Sequence, residues 1–117
     1  MTSELHKSYF QFSFVDYLNQ INDFENLINW LSNEFILYQQ EENNGLKVFF
    51  PNGWFNISSS EKENNEYKVY LDSKSKFTFT KIKEQLLFAI KRFKHLKKEY
   101  SHEQLSHKTF RRVLPNI

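Results

Sequence analysis

Between Glu34 and Thr80 the chain alternates short β-prone runs with turn chemistry, and this punctuation most restricts the folds open to it. EFILYQQ is followed by Asn43-Asn44-Gly45, LKVFF by Pro51-Asn52-Gly53, WFNIS by a polar stretch around Glu61 to Asn65, and YKVYL by Asp72 to Lys76, ahead of FTFT. Asn and Gly tolerate positive φ, so an Asn-Gly step before a β-prone run predicts a hairpin. The expected product is an antiparallel meander of four to five strands. Alternation turns Phe55 and Ile57, then Tyr67, Val69 and Leu71, then Phe77 and Phe79 toward a core. Lys47, Lys68 and Lys76 are expected on edge strands, where a charge resists pairing with another molecule. EFILYQQ fits either a strand or two further turns of the helix before it.

Upstream, residues 8 to 15 read SYFQFSFV and set Phe10, Phe12 and Phe14 on one side, the period of a half-buried strand. Asp16 then stands where an N-cap is expected, before an apolar stripe of Tyr17, Ile21, Phe24, Ile28 and Leu31 with Leu27 at its edge. The opposite face of that helix carries Asn19, Asn22, Asn26, Asn29 and Asn33, with Trp30 beside them. Asparagine competes with its own backbone for hydrogen bonds and forms helix poorly, so tertiary packing must hold this segment. Trp30 with Asn22, Asn26 and Asn29 reads in two ways. Either it is an uncharged hydrogen-bonding surface with an aromatic anchor, or the asparagines reflect base composition and Trp30 packs on a neighbouring element.

Lys81 to Tyr100 is the longest helical pattern. Ile82, Leu86, Ala89, Ile90, Phe93, Leu96 and Tyr100 share one stripe, while Lys83, Lys91, Lys94 and Lys98 occupy the other side, flanked by Arg92 and His95. Thr80 is the expected cap, and Lys97 and Lys98 suit the C-terminal end of the helix dipole. Phe88 breaks the pattern, lying far from the stripe among Glu84, Arg92 and His95. Ser101-His102-Glu103-Gln104 matches a capping box, which predicts a short third helix ended near Pro115, with Lys108, Arg111 and Arg112 in the tail. Residues 1–100 are thus read as one α+β domain with its helices on one face of the sheet, and residues 101–117 as a short helix or tail docking on it or extending from it.

Net charge conceals a strong polarity. From Lys81 to Arg112 ten Lys or Arg face three acids, whereas the remaining residues hold six against eleven. Thirteen Phe, six Tyr and two Trp supply a core for a chain of 117 residues without disulfides. The absence of cysteine excludes thiol catalysis and cysteine-ligated zinc, and two glycines are too few for a Gly-rich phosphate loop. No apolar run is long enough for a leader or a membrane span, so a cytoplasmic protein that does not engage membranes is expected. His95, Glu99 and His102 share a face only if the last two helices are continuous, and the break expected at Ser101 argues against a metal site. His95, Glu99, Arg111 and Arg112 are the residue types of a metal-free RNase, yet nothing in their spacing fixes a geometry.

These features favour a small protein-binding module without catalysis or cofactor. The expected class is the stoichiometric inhibitor, like the small bacterial or phage immunity and antitoxin proteins that neutralise a toxin or a defence nuclease. Its contact residues would be Trp30, Asn22, Asn26, Asn29, Phe88, Lys91, Arg92, Lys94, His95, Lys98, Arg111 and Arg112, and its partner a protein with an acidic surface. RNA or DNA binding through the basic residues 81–112 is the alternative, weakened by the scarcity of arginine.

Overall fold

A computed structural model describes residues 9–20, 23–60 and 65–106, with residues 98–106 as backbone only. The order of elements is β1 (Phe10–Tyr17), α1 (Asp23–Glu34), β2 (Gln39–Glu42), β3 (Gly45–Phe50), β4 (Gly53–Ser59), β5 (Glu66–Ser73) and α2 (Lys76–Ser106). β2 to β5 form the expected meander, and β1 returns beside β5, giving the order β1-β5-β4-β3-β2 with every neighbouring pair antiparallel.

Register sorts the side chains into two faces. Phe12 stands opposite Leu71 and Phe14 opposite Val69, while Ile57 faces Val69 and Leu46 across β4. Both helices lie on this apolar face, as expected, α1 over β3 and α2 over β5 and β1. Leu27 and Leu31 of α1 and Ile82, Leu86 and Ala89 of α2 are buried there against Phe55, Val69 and Leu71. Each of the larger side chains, Leu, Ile, Val or Phe, contributes about 1.5–3 kcal/mol on leaving water. The other face bears Gln11, Ser13, Val15, Lys47, Phe49, Trp54, Asn56, Lys68, Tyr70 and Asp72, and among the described residues no helix covers it.

Several boundaries differ from the sequence reading, each for a local reason. FTFT is helical and not a strand, because Ser75 caps α2 five residues earlier than Thr80: its Oγ accepts from Thr78 N–H at 3.2 Å. Phe79 therefore packs on Phe10, at 5.8 Å between rings, while Phe77 points outward and is 76% exposed. Asp16 lies within β1 and is no cap, and α1 begins only at Asp23. EFILYQQ divides: α1 stops at Glu34, a turn follows, and β2 starts at Gln39. The stop is enforced by Gln40, whose Nε2 donates to the carbonyls of Ser32 and Phe35 at 3.0 and 2.7 Å, satisfying acceptors that a longer helix would use. α2 does not break at Ser101 but continues to Ser106, and the remainder of the expected third helix lies outside the described residues. Leu96, assigned to the buried stripe, is 42% exposed because α2 overhangs the sheet: its 31 residues span about 46 Å against about 26 Å for an eight-residue strand.

The hairpin turns follow the sequence. Asn44 and Asn52 adopt φ of 65° and 70°, the left-handed region that asparagine tolerates. Pro51 before Asn52 is the pairing of a type II turn. A Cβ at Gly53 would stand 2.3 Å from the carbonyl oxygen of Asp72, so the neighbouring strand itself excludes any larger residue.

Candidate functional site

Three residues singled out from the sequence converge on one surface of α2. The Trp30 indole N–H donates to the Ala89 carbonyl at 2.9 Å, and its ring lies 6.0 Å from that of Phe93. These contacts fix Trp30 half-buried between the antiparallel helices. The Arg92 guanidinium stands over the same indole at 5.4 Å and 5.9 Å from the Phe88 ring, which is itself 60% exposed. An aromatic, cation, aromatic stack results, seated on a hydrogen-bonded anchor. Lys81, Lys91 and His95 are exposed on the same helix. Glu84 is the single acid among the α2 residues whose side chains are described.

Two lysines of the basic segment make ion pairs within the fold. Lys94 Nζ lies 2.6 Å from Asp16 Oδ2, which also accepts from the Tyr67 hydroxyl at 2.9 Å. Partial burial raises the Asp16 pKa, but the Lys94 ammonium, the Tyr17 N–H and the Tyr67 hydroxyl outweigh it and hold the carboxyl below its ordinary value. The Tyr67 phenol is pushed far upward by its own burial and then by the Asp16 carboxylate. Lys97 Nζ forms an ion pair with the buried Asp23 at 3.2 Å, without hydrogen-bond geometry at Oδ1. Asp16 and Asp23 thus clamp α2 to β1 and to the start of α1.

Asn26 and Asn29 are exposed, but Asn29 belongs to a different region. With Glu25, Glu42, Asn43 and Asn44 it lines a polar groove between α1 and the β2–β3 turn. Asn22, Arg111, Arg112 and the side chain of Lys98 lie outside the described residues. Two features escaped the sequence reading. Ile36 and Leu37, 67% and 94% exposed, protrude from the α1–β2 turn, where the ambiguity of EFILYQQ was the only signal. On the open sheet face Phe49, Trp54 and Tyr70 cluster around Lys47, with Trp54 and Tyr70 5.2 Å apart and the Lys47 ammonium 4.3 Å above the Trp54 ring. The odd-even alternation of β3, β4 and β5 contained that cluster once the register was known.

The continuous α2 backbone meets the condition that aligns positions 95, 99 and 102, but the side chains of 99 and 102 lie outside the described residues; among those described, no three metal-ligating side chains converge. Nor, among those residues, is any helix long and apolar enough to cross a membrane. No protein-family model matches the chain, and no curated protein matches it in sequence.

Proposed function

We propose that the chain is a cytoplasmic, non-catalytic binding module that docks an acidic protein on the exposed ridge of α2, acting as a stoichiometric inhibitor of the immunity or antitoxin kind. The observation that carries this reading is the Phe88–Arg92–Trp30 stack. An exposed ring already held by a cation on a half-buried, hydrogen-bonded anchor gives up little side-chain freedom on docking, which is what a dominant interface contact requires. Charge supports the choice of partner. With Lys94 and Lys97 committed to internal carboxylates, Arg92 beside Phe88 and the exposed Lys81 and Lys91 of the same helix are the cations that remain for a partner. They favour a partner with surface carboxylates and speed its approach.

The test places a photoreactive residue at Phe88, identifies the crosslinked protein, and titrates that protein in pure form. Wild type is expected to saturate at one to one. Phe88→Ala is expected to weaken binding about thirtyfold, as loss of a hot-spot aromatic does, and Lys91→Glu to slow association. Lys68→Glu, on the far side of the sheet, is the control and should change nothing. Binding indifferent to Phe88→Ala would sink the reading. So would displacement of the partner by mixed-sequence RNA or DNA with a steep salt dependence, which would assign the ridge to phosphates instead.

A further inference from the structure

Among the described residues, the edge of the sheet at β1 lacks the protection that sheet edges carry. β1 has β5 as its only neighbour among the described residues. In an antiparallel ladder, backbone groups point alternately toward the partner strand and away from it. Leu18 N–H donates to Asn65 O at 2.8 Å, and Ser60 N–H donates to Glu66 O on the β4 side of β5. Both bonds fix the same parity, so the even-numbered residues of β1 face β5. Gln11, Ser13, Val15 and Tyr17 therefore turn their N–H and C=O groups outward. The Asp16 carboxylate interacts with the Tyr17 N–H, and among the described residues no strand lies beside the other three outward residues, Gln11, Ser13 and Val15.

Edge strands are ordinarily blunted by shortness, proline or charge. β2, the other edge, is four residues long and carries Glu41 and Glu42. β1 is eight residues long, and Asp16 is its one charge. The lysines expected to guard an edge are elsewhere: Lys47 and Lys68 lie in the inner strands β3 and β5, and Lys76 begins α2. On the helix side Phe10, Phe12 and Phe14 remain half-buried, with Phe12 and Phe14 5.6 Å apart.

We propose that two copies of this chain pair through β1, antiparallel about a two-fold axis at Ser13, to make one continuous sheet across the dimer. The occupant follows from self-complementarity. With Ser13 opposite its own mate, Gln11 of each copy faces Val15 of the other, and all three open residues engage in hydrogen-bonded pairs that exchange two bonds each. A slip of two residues either way pairs Gln11 with the occupied Tyr17 or Val15 with Tyr9, beyond the strand. The same register sets Phe12 of one copy against Phe14 of the other and extends the apolar helix face across the junction. Charge is matched as well: Lys83 Nζ stands 4.2 Å over Phe12, diagonal to the position taken by Asp16 of the second copy. This interface leaves the α2 ridge free, so it stands independently of the docking reading.

Sedimentation equilibrium of the full chain tests the proposal. From micromolar to millimolar concentration the mass is expected to rise from 14.3 kDa toward twice that value. Ser13 is exposed and its N–H points outward, so Ser13→Lys and Ser13→Glu should each keep the native circular dichroism and stay monomeric, because like charges meet across the axis. An equimolar mixture of the two should recover a dimer containing one of each, read by native mass spectrometry. A wild type that stays at 14.3 kDa at millimolar concentration overturns the proposal, as does a Ser13→Lys protein that dimerises like wild type. A mixture of folded variants that forms no heterodimer overturns it too.

Discussion

Asp16 shows how much one side chain's position decides. In the sequence it looks like a helix cap; in the fold it receives Lys94 and Tyr67 and ties the edge strand to α2. Its folded pKa lies below the ordinary 3.8, so as pH falls the unfolded chain takes up the proton first. The stability it contributes is complete above that value and is lost as pH drops below about 3.8 through the folded pKa. Because the pair is 35–40% exposed, solvent screening limits the effect, and Asp16→Asn should cost about 1 kcal/mol at neutral pH. The gap between variant and wild type should close below pH 4, which urea titrations at stepped pH would show. Tyr67 works in the opposite sense. Its folded pKa is raised, so its contribution is intact below 10.0 and declines as pH climbs above it. Tyr67→Phe should cost about 1 kcal/mol at neutral pH through the lost hydrogen bond. It should also abolish this share of the alkaline loss.

The helices depend on capping groups that only the fold brings into place. Ser75→Ala should destabilise by about 1 kcal/mol with an unchanged denaturant slope, since the cap satisfies one amide at the first turn of α2. Gln40→Ala should cost about 1 kcal/mol, because the Ser32 carbonyl near the end of α1 loses its side-chain donor while the Phe35 carbonyl keeps the Tyr38 N–H. Ser75 was visible as a residue type, but the alternation of Phe77 and Phe79 imitates a strand and hid the start of the helix. Gln40 acts across a turn from the carbonyls it serves, and no periodicity encodes such a contact. What sequence did carry was patterning and turn chemistry: the meander, the Asn turns, the apolar stripe of α2 through Phe93, and α1 as a packed helix. It could not carry strand order. The return of β1 to β5 decides which lysines lie at edges, and it joins residues about sixty positions apart. For the ridge, Trp30, Phe88 and Arg92 were each legible as anomalies of a helical wheel, while their stacking required the antiparallel placement of α1 on α2.

At the scale of the whole molecule, the described residues form a single sheet clothed on one side and bare on the other, with one guarded edge and one open edge. The proposed dimer would place two α2 ridges on a common side of an extended sheet. A partner with paired acidic patches would then bind with avidity that Ser13→Lys removes, while the affinity of a single site stays unchanged. The two tryptophans lie on opposite sides of the sheet, Trp30 against α2 and Trp54 on the bare face beside Tyr70. Each surface thus contains its own optical reporter. In a Trp54→Phe protein the emission should shift when a ligand covers the α2 ridge, and in a Trp30→Phe protein only when the open face is occupied. The chain carries, without any attached dye, a fluorescence signal that distinguishes which of its two sides has been touched.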